Sequence, residues 1–345
     1  MRTLALTGGG SAGHVVPNLA LIPQLKEKFR LVYIGTEGIE RELLKGTGVP
    51  FYTIRAAKFV RGSLYKNALL PLHYLRGLRE ARAALTDAGA DAVFSKGGYV
   101  ALPVVSAAKK LHLPVLSHES DLTAGLANRL IARKCSAVLT SFPETAKELK
   151  NGIFAGSPVR EELLSGERAA AQAKYGLGAE KPVLLAFGGG SGSAAINAAL
   201  RQALPALLPS FDVLHICGKG GGERRAGYLP LPFERDMASA YACADLILAR
   251  AGSNTVFEVL ALKKPALFVP LENRRSRGDQ VQNALYFKNR GLCRVLREPE
   301  LSPSSLTEAI FALQGDLPLR SALAASSFPA GNGAIVREIM RVCGG

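Results

Sequence analysis

His14 closes a glycine-rich turn, Gly8-Gly9-Gly10-Ser11-Ala12-Gly13, that follows the apolar run Leu4-Ala5-Leu6 and leads into a helix-like stretch. At a helix start the positive end of the dipole disfavours imidazolium, so the ring stays neutral near pH 7 and can take a proton from a sugar hydroxyl. The position equally suits a histidine that only hydrogen-bonds a neighbouring loop. A second turn, Gly188-Gly189-Gly190-Ser191-Gly192-Ser193, follows Val183-Leu184-Leu185-Ala186-Phe187 about half a chain later. Such glycines let backbone amides approach an anion at a helix N-terminus. A third passage, Arg250-Ala251-Gly252-Ser253-Asn254-Thr255-Val256-Phe257-Glu258, runs from strand end through turn into helix. Its amides suit a diphosphate, and Glu258, one turn in, suits the two hydroxyls of a ribose. Thr255-x-x-Glu258 also spells a capping box, in which Glu258 only satisfies a backbone donor.

Asp279-Gln280-x-Gln282-Asn283 opens another helix after the basic stretch 273–278, and could hydrogen-bond sugar hydroxyls. For Gln282 and Asn283 a plain polar helix start is the better reading. His118-Glu119-Ser120-Asp121 follows a strand end, on the side where parallel sheets bind ligands. No Asp-x-Asp gathers carboxylates for a metal. A leaving diphosphate is therefore expected to be met by helix N-termini and basic residues. Gly8-x-Gly10-x-x-Gly13 with Glu37 downstream formally fits a dinucleotide fingerprint. His14, Pro17 and Ser193, the last standing where a third glycine would fall, count against a nicotinamide or flavin.

Positioning these groups requires strands that end at the turns. Leu31–Ile34, Ala92–Phe94, Val115–Ser117 and Ala137–Leu139 read as strands in the first half. Val183–Phe187, Val213–Ile216, Leu246–Leu248 and Ala266–Val269 do so in the second. Alternation with helices implies right-handed crossovers and parallel sheets covered on both faces. The fold class expected is α/β, two Rossmann-like domains facing a shared cleft, with Asn151–Pro158 as the hinge. A length of 345 residues and a 48% hydrophobic content fit two globular domains. No apolar run approaches the ~18 residues of a membrane span, and no signal peptide is evident. Five scattered cysteines without metal-like spacing suit a reduced cytoplasmic protein.

The net charge of +15 points to an anionic partner. No nucleic-acid motif is present, so no nucleic acid is expected. From Lys58 to Arg82 basic residues interleave with Leu64, Tyr65, Leu69, Leu70, Leu72, Tyr74, Leu75 and Leu78. That pattern suits a lipid headgroup region, and equally an ordinary core-facing helix with a basic outer face.

Taken in order, the first glycine turn with His14, Lys96-Gly97-Gly98-Tyr99, His118-Glu119, Gly156-Ser157-Pro158-Val159-Arg160, Asp236-Met237, Arg250-Ala251-Gly252, Glu258 and Asp279-Gln280 resemble the MurG family. These are peptidoglycan N-acetylglucosaminyltransferases that convert lipid I to lipid II at the cytoplasmic membrane face. The resemblance implies a glycosyltransferase B fold: residues 1–158 with a returning helix over 333–345 toward the acceptor and membrane, and residues 159–332 toward UDP-N-acetylglucosamine. It implies an inverting, metal-independent transfer to an undecaprenyl-linked acceptor, with no cofactor and with His14 as base.

The likeness further implies that backbone beside Phe233 and Glu234 meets the uracil and Glu258 the ribose. Gly190, Ser191, Ser253, Asn254 and Thr255 would hold the diphosphate, with Val256 and Phe257 beside them, while Asp279 and Gln280 meet the amino sugar. Ser11, Ala12, Gly13, Asp121 and Arg160 complete the donor set. Gly9, Gly10, Tyr99, His118 and Asp121 would face the acceptor, and Leu69–Leu78 an anionic membrane surface. Departures fall at Ser11-Ala12, where the family has Thr-Gly, and at Ser120-Asp121, where it has Gln-Asn. The family serine of the second turn aligns with Gly190, and the stretch from Gly220 to Phe233 is shorter. Asp121 near a pyrophosphate would be repulsive if ionised unless it binds a sugar hydroxyl. Another lipid acceptor, a UDP-sugar 2-epimerase and, from a different class, a dinucleotide oxidoreductase remain as alternatives.

Overall fold

Apolar runs of three to six residues form the central strands of the sheets, buried on both faces as parallel sheets covered by helices require. The computed structural model describes residues 1–59, 64–190, 192–272, 277–327 and 330–343. The chain divides into two compact units, Met1–Val159 with Ala330–Gly345, and Arg160–Pro329.

The first unit holds β1 (Thr3–Thr7), β2 (Arg30–Gly35), β3 (Phe51–Thr53), β4 (Ala92–Ser95), β5 (Val115–Glu119), β6 (Ala137–Thr140) and β7 (Gly152–Phe154). They form one parallel sheet in the order β3-β2-β1-β4-β5-β6-β7. The second unit holds β8 (Val183–Phe187), β9 (Asp212–Ile216), β10 (Tyr228–Leu231), β11 (Leu246–Ala249), β12 (Ala266–Phe268) and β13 (Arg294–Val295). Their order is β10-β9-β8-β11-β12-β13, again parallel. In each sheet the winding direction reverses once, between β1 and β4 and between β8 and β11. Ligands of open α/β sheets bind beyond the strand carboxyl ends at such a reversal. The turns after β1, β4, β8 and β11 are the segments that the sequence singled out as glycine-rich and polar.

One face of the first sheet packs Leu21, Ile22 and Leu25 with Ile335, Val336, Ile339 and Cys343 of the helix Asn332–Cys343. That helix therefore belongs to the first unit although it lies beyond the second in sequence. Asn332, buried, fixes the join: its Oδ1 accepts from the Val159 amide at 2.9 Å and its Nδ2 donates to the Val159 carbonyl at 2.8 Å. The opposite face packs Ala81, Ala84 and Leu85 with Val104, Val105 and Ile131. On the helix Leu70–Asp87 that supplies Ala81–Leu85, the outer Leu72 and Leu75 stay exposed.

The structure corrects several expectations. Asn151–Pro158 is not simply a hinge, because Gly152–Phe154 pairs with β6 as an edge strand. Three residues with one glycine carry no readable periodicity. Strands β3, β10 and β13 escaped the sequence for the same reason, being edge or near-edge strands of two to four residues. His14 ends a short 3-10 turn, Ala12–His14, and the α-helix itself begins at Val16.

Candidate functional site

In the first unit the turns after β1, β4 and β5 come together. Gly98, with φ +83°, lies against the first turn so closely that a Cβ there would stand 2.4 Å from the Gly9 carbonyl and 2.9 Å from His14 Cδ2. The Tyr99 ring covers Gly10 in the same way. His14 Nδ1 is 3.2 Å from the Lys96 carbonyl. A carbonyl only accepts, so Nδ1 carries the proton and the neutral ring has its lone pair on Nε2.

Behind this lies a buried polar network. The carboxylate of Glu119 accepts from the Asp121 amide at 3.0 Å and from Asn128 Nδ2 at 2.7 Å. Asn128 Oδ1 accepts in turn from the Gly98 amide at 3.2 Å. Burial, reinforced by Asp121, raises the Glu119 carboxyl. His118 is fully buried and donates from Nε2 to the Gly156 carbonyl at 2.8 Å, so its ring braces the loop. Burial and the nearby Lys96 hold it well below the ordinary histidine range, and it stays neutral.

Glu40, fully buried, clasps the first turn. It accepts from the Thr36 hydroxyl at 2.7 Å, the Thr36 amide at 3.3 Å and the Gly10 amide at 3.5 Å. Glu37, the acid read as a ribose ligand of a dinucleotide site, is exposed and paired with Arg41 at 2.5 Å. Ser11, Gly10 and Gly13 are exposed, Ala12 and Asp121 half-buried, and Gly9 buried.

In the second unit the helix Ser253–Ala261 is capped by Gly252 through its backbone alone, and Thr255 already lies inside the helix. The capping box is therefore excluded. Glu258, 7% exposed, instead accepts from Arg160 Nη2 at 3.3 Å and from the Tyr241 hydroxyl at 3.1 Å. Burial raises its carboxyl, and the Arg160 guanidinium opposes that rise. Val256 and Phe257 point into the core, Phe257 edge-on to Phe287 at 5.4 Å, so only their main chain can meet a ligand. Ser253 is buried and Asn254 and Thr255 half-buried at the helix start.

Arg250 is buried as a strut, donating to the Val269 and Pro270 carbonyls at 3.1 and 3.2 Å and to Glu298 at 2.6 Å. Gly190 is exposed at the tip of the second turn, and Ser191 lies outside the described residues. Ser193 caps the following helix by accepting from the Ile196 amide. Phe233 is exposed, while Glu234 accepts from the Tyr175 hydroxyl at 3.0 Å and the Asp236 amide at 2.8 Å. Gln280 Oε1 accepts from the Leu271 amide at 2.9 Å, and Asp279 pairs with Arg277 at 3.6 Å. The basic stretch 273–276 that precedes them in sequence lies outside the described residues. Among the described residues no group of three or more His, Cys, Asp or Glu is arranged as metal ligands.

Sequence reasoning missed Glu40, Asn128, Tyr241 and the side chain of Lys96. Each acts on a residue that was singled out, across 9 to 30 positions of chain. For Glu40, Asn128 and Tyr241 the available signal was a polar group on a helix face that also carries apolar residues, which sequence reading assigns to solvent by default; Lys96 lies in the turn after β4 and gave no such signal.

Residues 4–140 match the glycosyltransferase family 28 N-terminal domain, and residues 183–327 its C-terminal domain. A UDP-N-acetylglucosamine--N-acetylmuramyl-(pentapeptide) pyrophosphoryl-undecaprenol N-acetylglucosamine transferase of Lachnospira eligens is 42% identical over 325 residues, 92% of each chain. The protein of the same name from Clostridium kluyveri is 43% identical over 319 residues, 90% of each chain. The crystal structure of Acinetobacter baumannii MurG superposes with a TM-score of 0.76 at 28% identity, covering 99% of this chain and 100% of that one. The two wound parallel sheets are thus those of a glycosyltransferase B fold. With family domains in both units and relatives this similar over nine-tenths of its length, the chain belongs to glycosyltransferase family 28 and, within it, to the MurG N-acetylglucosaminyltransferases.

Proposed function

We propose that the chain transfers N-acetylglucosamine from UDP-N-acetylglucosamine to the muramyl 4-hydroxyl of undecaprenyl-pyrophosphoryl-N-acetylmuramyl-pentapeptide, converting lipid I to lipid II for peptidoglycan synthesis. The observation that carries this reading is the likeness over both units to relatives named for that transfer.

The acceptor oxygen attacks the anomeric carbon as the bond to the UDP β-phosphate oxygen breaks, and attack from the opposite face inverts the configuration. The hydroxyl proton passes to His14 Nε2, the nitrogen that carries the lone pair when Nδ1 donates to the Lys96 carbonyl. The electron pair of the broken bond leaves with UDP. Its charge is met by first-turn amides at Ser253–Thr255 and by the turn at Gly188–Gly190, a metal-independent route. Glu258, oriented by Arg160 and Tyr241, accepts the ribose hydroxyls, and Asp279 and Gln280 meet the amino sugar.

Docking is peripheral, at the cytoplasmic face of the membrane. No helix among the described residues is long and apolar enough to cross a bilayer. Leu69, Leu72 and Leu75 are 58, 56 and 52% exposed beside the exposed Arg76, Arg79 and Arg82, which supports contact with anionic lipid.

The test is UDP release from UDP-N-acetylglucosamine, with and without a lipid I analogue, in the presence of chelator. Acceptor-dependent, chelator-insensitive release with a disaccharide product is expected. Turnover of the donor without acceptor would overturn the reading in favour of a UDP-sugar 2-epimerase.

A further inference from the structure

Lys96 is 1% exposed, a costly burial for an ammonium group. Its Nζ donates to Ser120 Oγ, and the charges of Glu119 and Asp121 act on it from the same strap. Burial lowers it to about 8, and those two carboxylates pull it back toward its ordinary value. Its carbonyl meanwhile holds His14 Nδ1. One residue thus grips both halves of the first-unit site, by main chain on one side and side chain on the other. Gly97 and Gly98, at φ +85° and +83°, give the sharp bend beyond Lys96 that seats this loop. A Cβ on Gly97 would stand 2.2 Å from Asn128 Oδ1.

We propose that Lys96 is a positioning residue of the acceptor half-site, whose ammonium balances Glu119 and Asp121 so that the strap 118–121 can face a diphosphate-linked substrate. Fully buried, it does not touch that substrate. Without it, two carboxylates about one loop would repel an anionic acceptor and each other. The proposal rests on the acceptor assigned under the proposed function, and it explains how a carboxylate at position 121 is compatible with a pyrophosphate.

The experiment is a cycle of Lys96→Met, Asp121→Asn and the double variant, read by acceptor KM, kcat and thermal midpoint of the full chain. Lys96→Met should raise acceptor KM about tenfold, within the range of coupled neighbours, and lower the midpoint. Asp121→Asn in the same chain should recover most of both. Additive effects, or an unchanged acceptor KM in Lys96→Met, would overturn the proposal. A purely structural lysine would lower the midpoint without any rescue. If Lys96→Met does not fold, the double variant should fold, and its failure to do so would also overturn the proposal. Absence of acceptor-dependent UDP release by the unaltered chain would reject the proposed function instead, leaving rescue of the thermal midpoint to decide the role of Lys96.

Discussion

Replacing Glu258 by Gln tests the donor site with almost no change of shape. Both carboxylate oxygens now accept from donors, Arg160 Nη2 at 3.3 Å and the Tyr241 hydroxyl at 3.1 Å. An amide offers one oxygen and one NH2, so with the oxygen on Arg160 the NH2 turns to the Tyr241 hydroxyl oxygen, and the charge that strengthened both contacts is lost. The ribose loses a charged acceptor as well, and hydrogen bonds to charged groups contribute about 1.5–3 kcal/mol each. With one acceptor retained, a net loss of about 2–3 kcal/mol follows, roughly 30- to 150-fold in Kd for UDP. The ribose is remote from the bond that breaks, so donor KM should rise far more than kcat falls. Calorimetry with UDP and with 2′-deoxy-UDP gives the reading. Removing the hydroxyl should weaken binding to the unaltered chain and scarcely affect Glu258→Gln. Tyr241→Phe, which loses only the 3.1 Å bond, should cost about 1 kcal/mol, roughly fivefold. UDP binding to a folded Glu258→Gln chain within about twofold of the original would refute the assignment.

His14→Ala should lower turnover by about 10²- to 10⁴-fold with the fold retained. Gly98→Ala, whose methyl meets His14, should lose about 10²-fold in steady-state transfer while UDP binding persists. His215, buried between Asn197 and Tyr228, is held down to about 4 from 6.5 by burial and then by Arg201. The folded chain binds this proton less readily than the unfolded one. Stability is therefore full above pH 6.5 and falls as pH drops toward 4, by about 3 kcal/mol. Urea unfolding of His215→Gln should show a shallower loss across that window, with His118 still contributing a slope of the same sign. Leu72→Glu with Leu75→Glu should cut co-sedimentation with anionic vesicles at least about tenfold, since each leucine side chain contributes on the order of 1 kcal/mol when its exposed half is buried. Turnover of a water-soluble acceptor should be unchanged.

The central strands of both sheets and the turns that follow them were legible because apolar runs ending in glycine say the same thing at two levels, pattern and turn chemistry. The edges were not. β13 has two residues, and β7 hid in a segment whose Gly and Pro signalled a loop. At the candidate site, His14 and Glu258 could be singled out from the sequence, but not what holds them. Thr255-x-x-Glu258 spelled a cap until the structure put the helix start at Gly252, three residues earlier. Arg160 reaches Glu258 across 98 positions, and no local rule reports a bond of that span. Glu37 precedes the helix Ile39–Leu44 and Glu40 lies in its first turn, yet one is solvated and the other clasps the glycine turn.

The helix Asn332–Cys343 has a consequence for the order in which the protein is made. Ile335, Val336 and Ile339 line the core of the first unit, and Arg2 reaches the Cys343 carbonyl. A growing chain that has released residues 1–159 therefore still lacks one wall of that core. The second unit, Arg160–Pro329, emerges complete while the first waits for its last helix. Vectorial synthesis, which ordinarily lets the N-terminal domain finish first, is inverted here. The ribosome delivers the unit that carries Glu258 as a finished body before the unit that carries His14 can close its core.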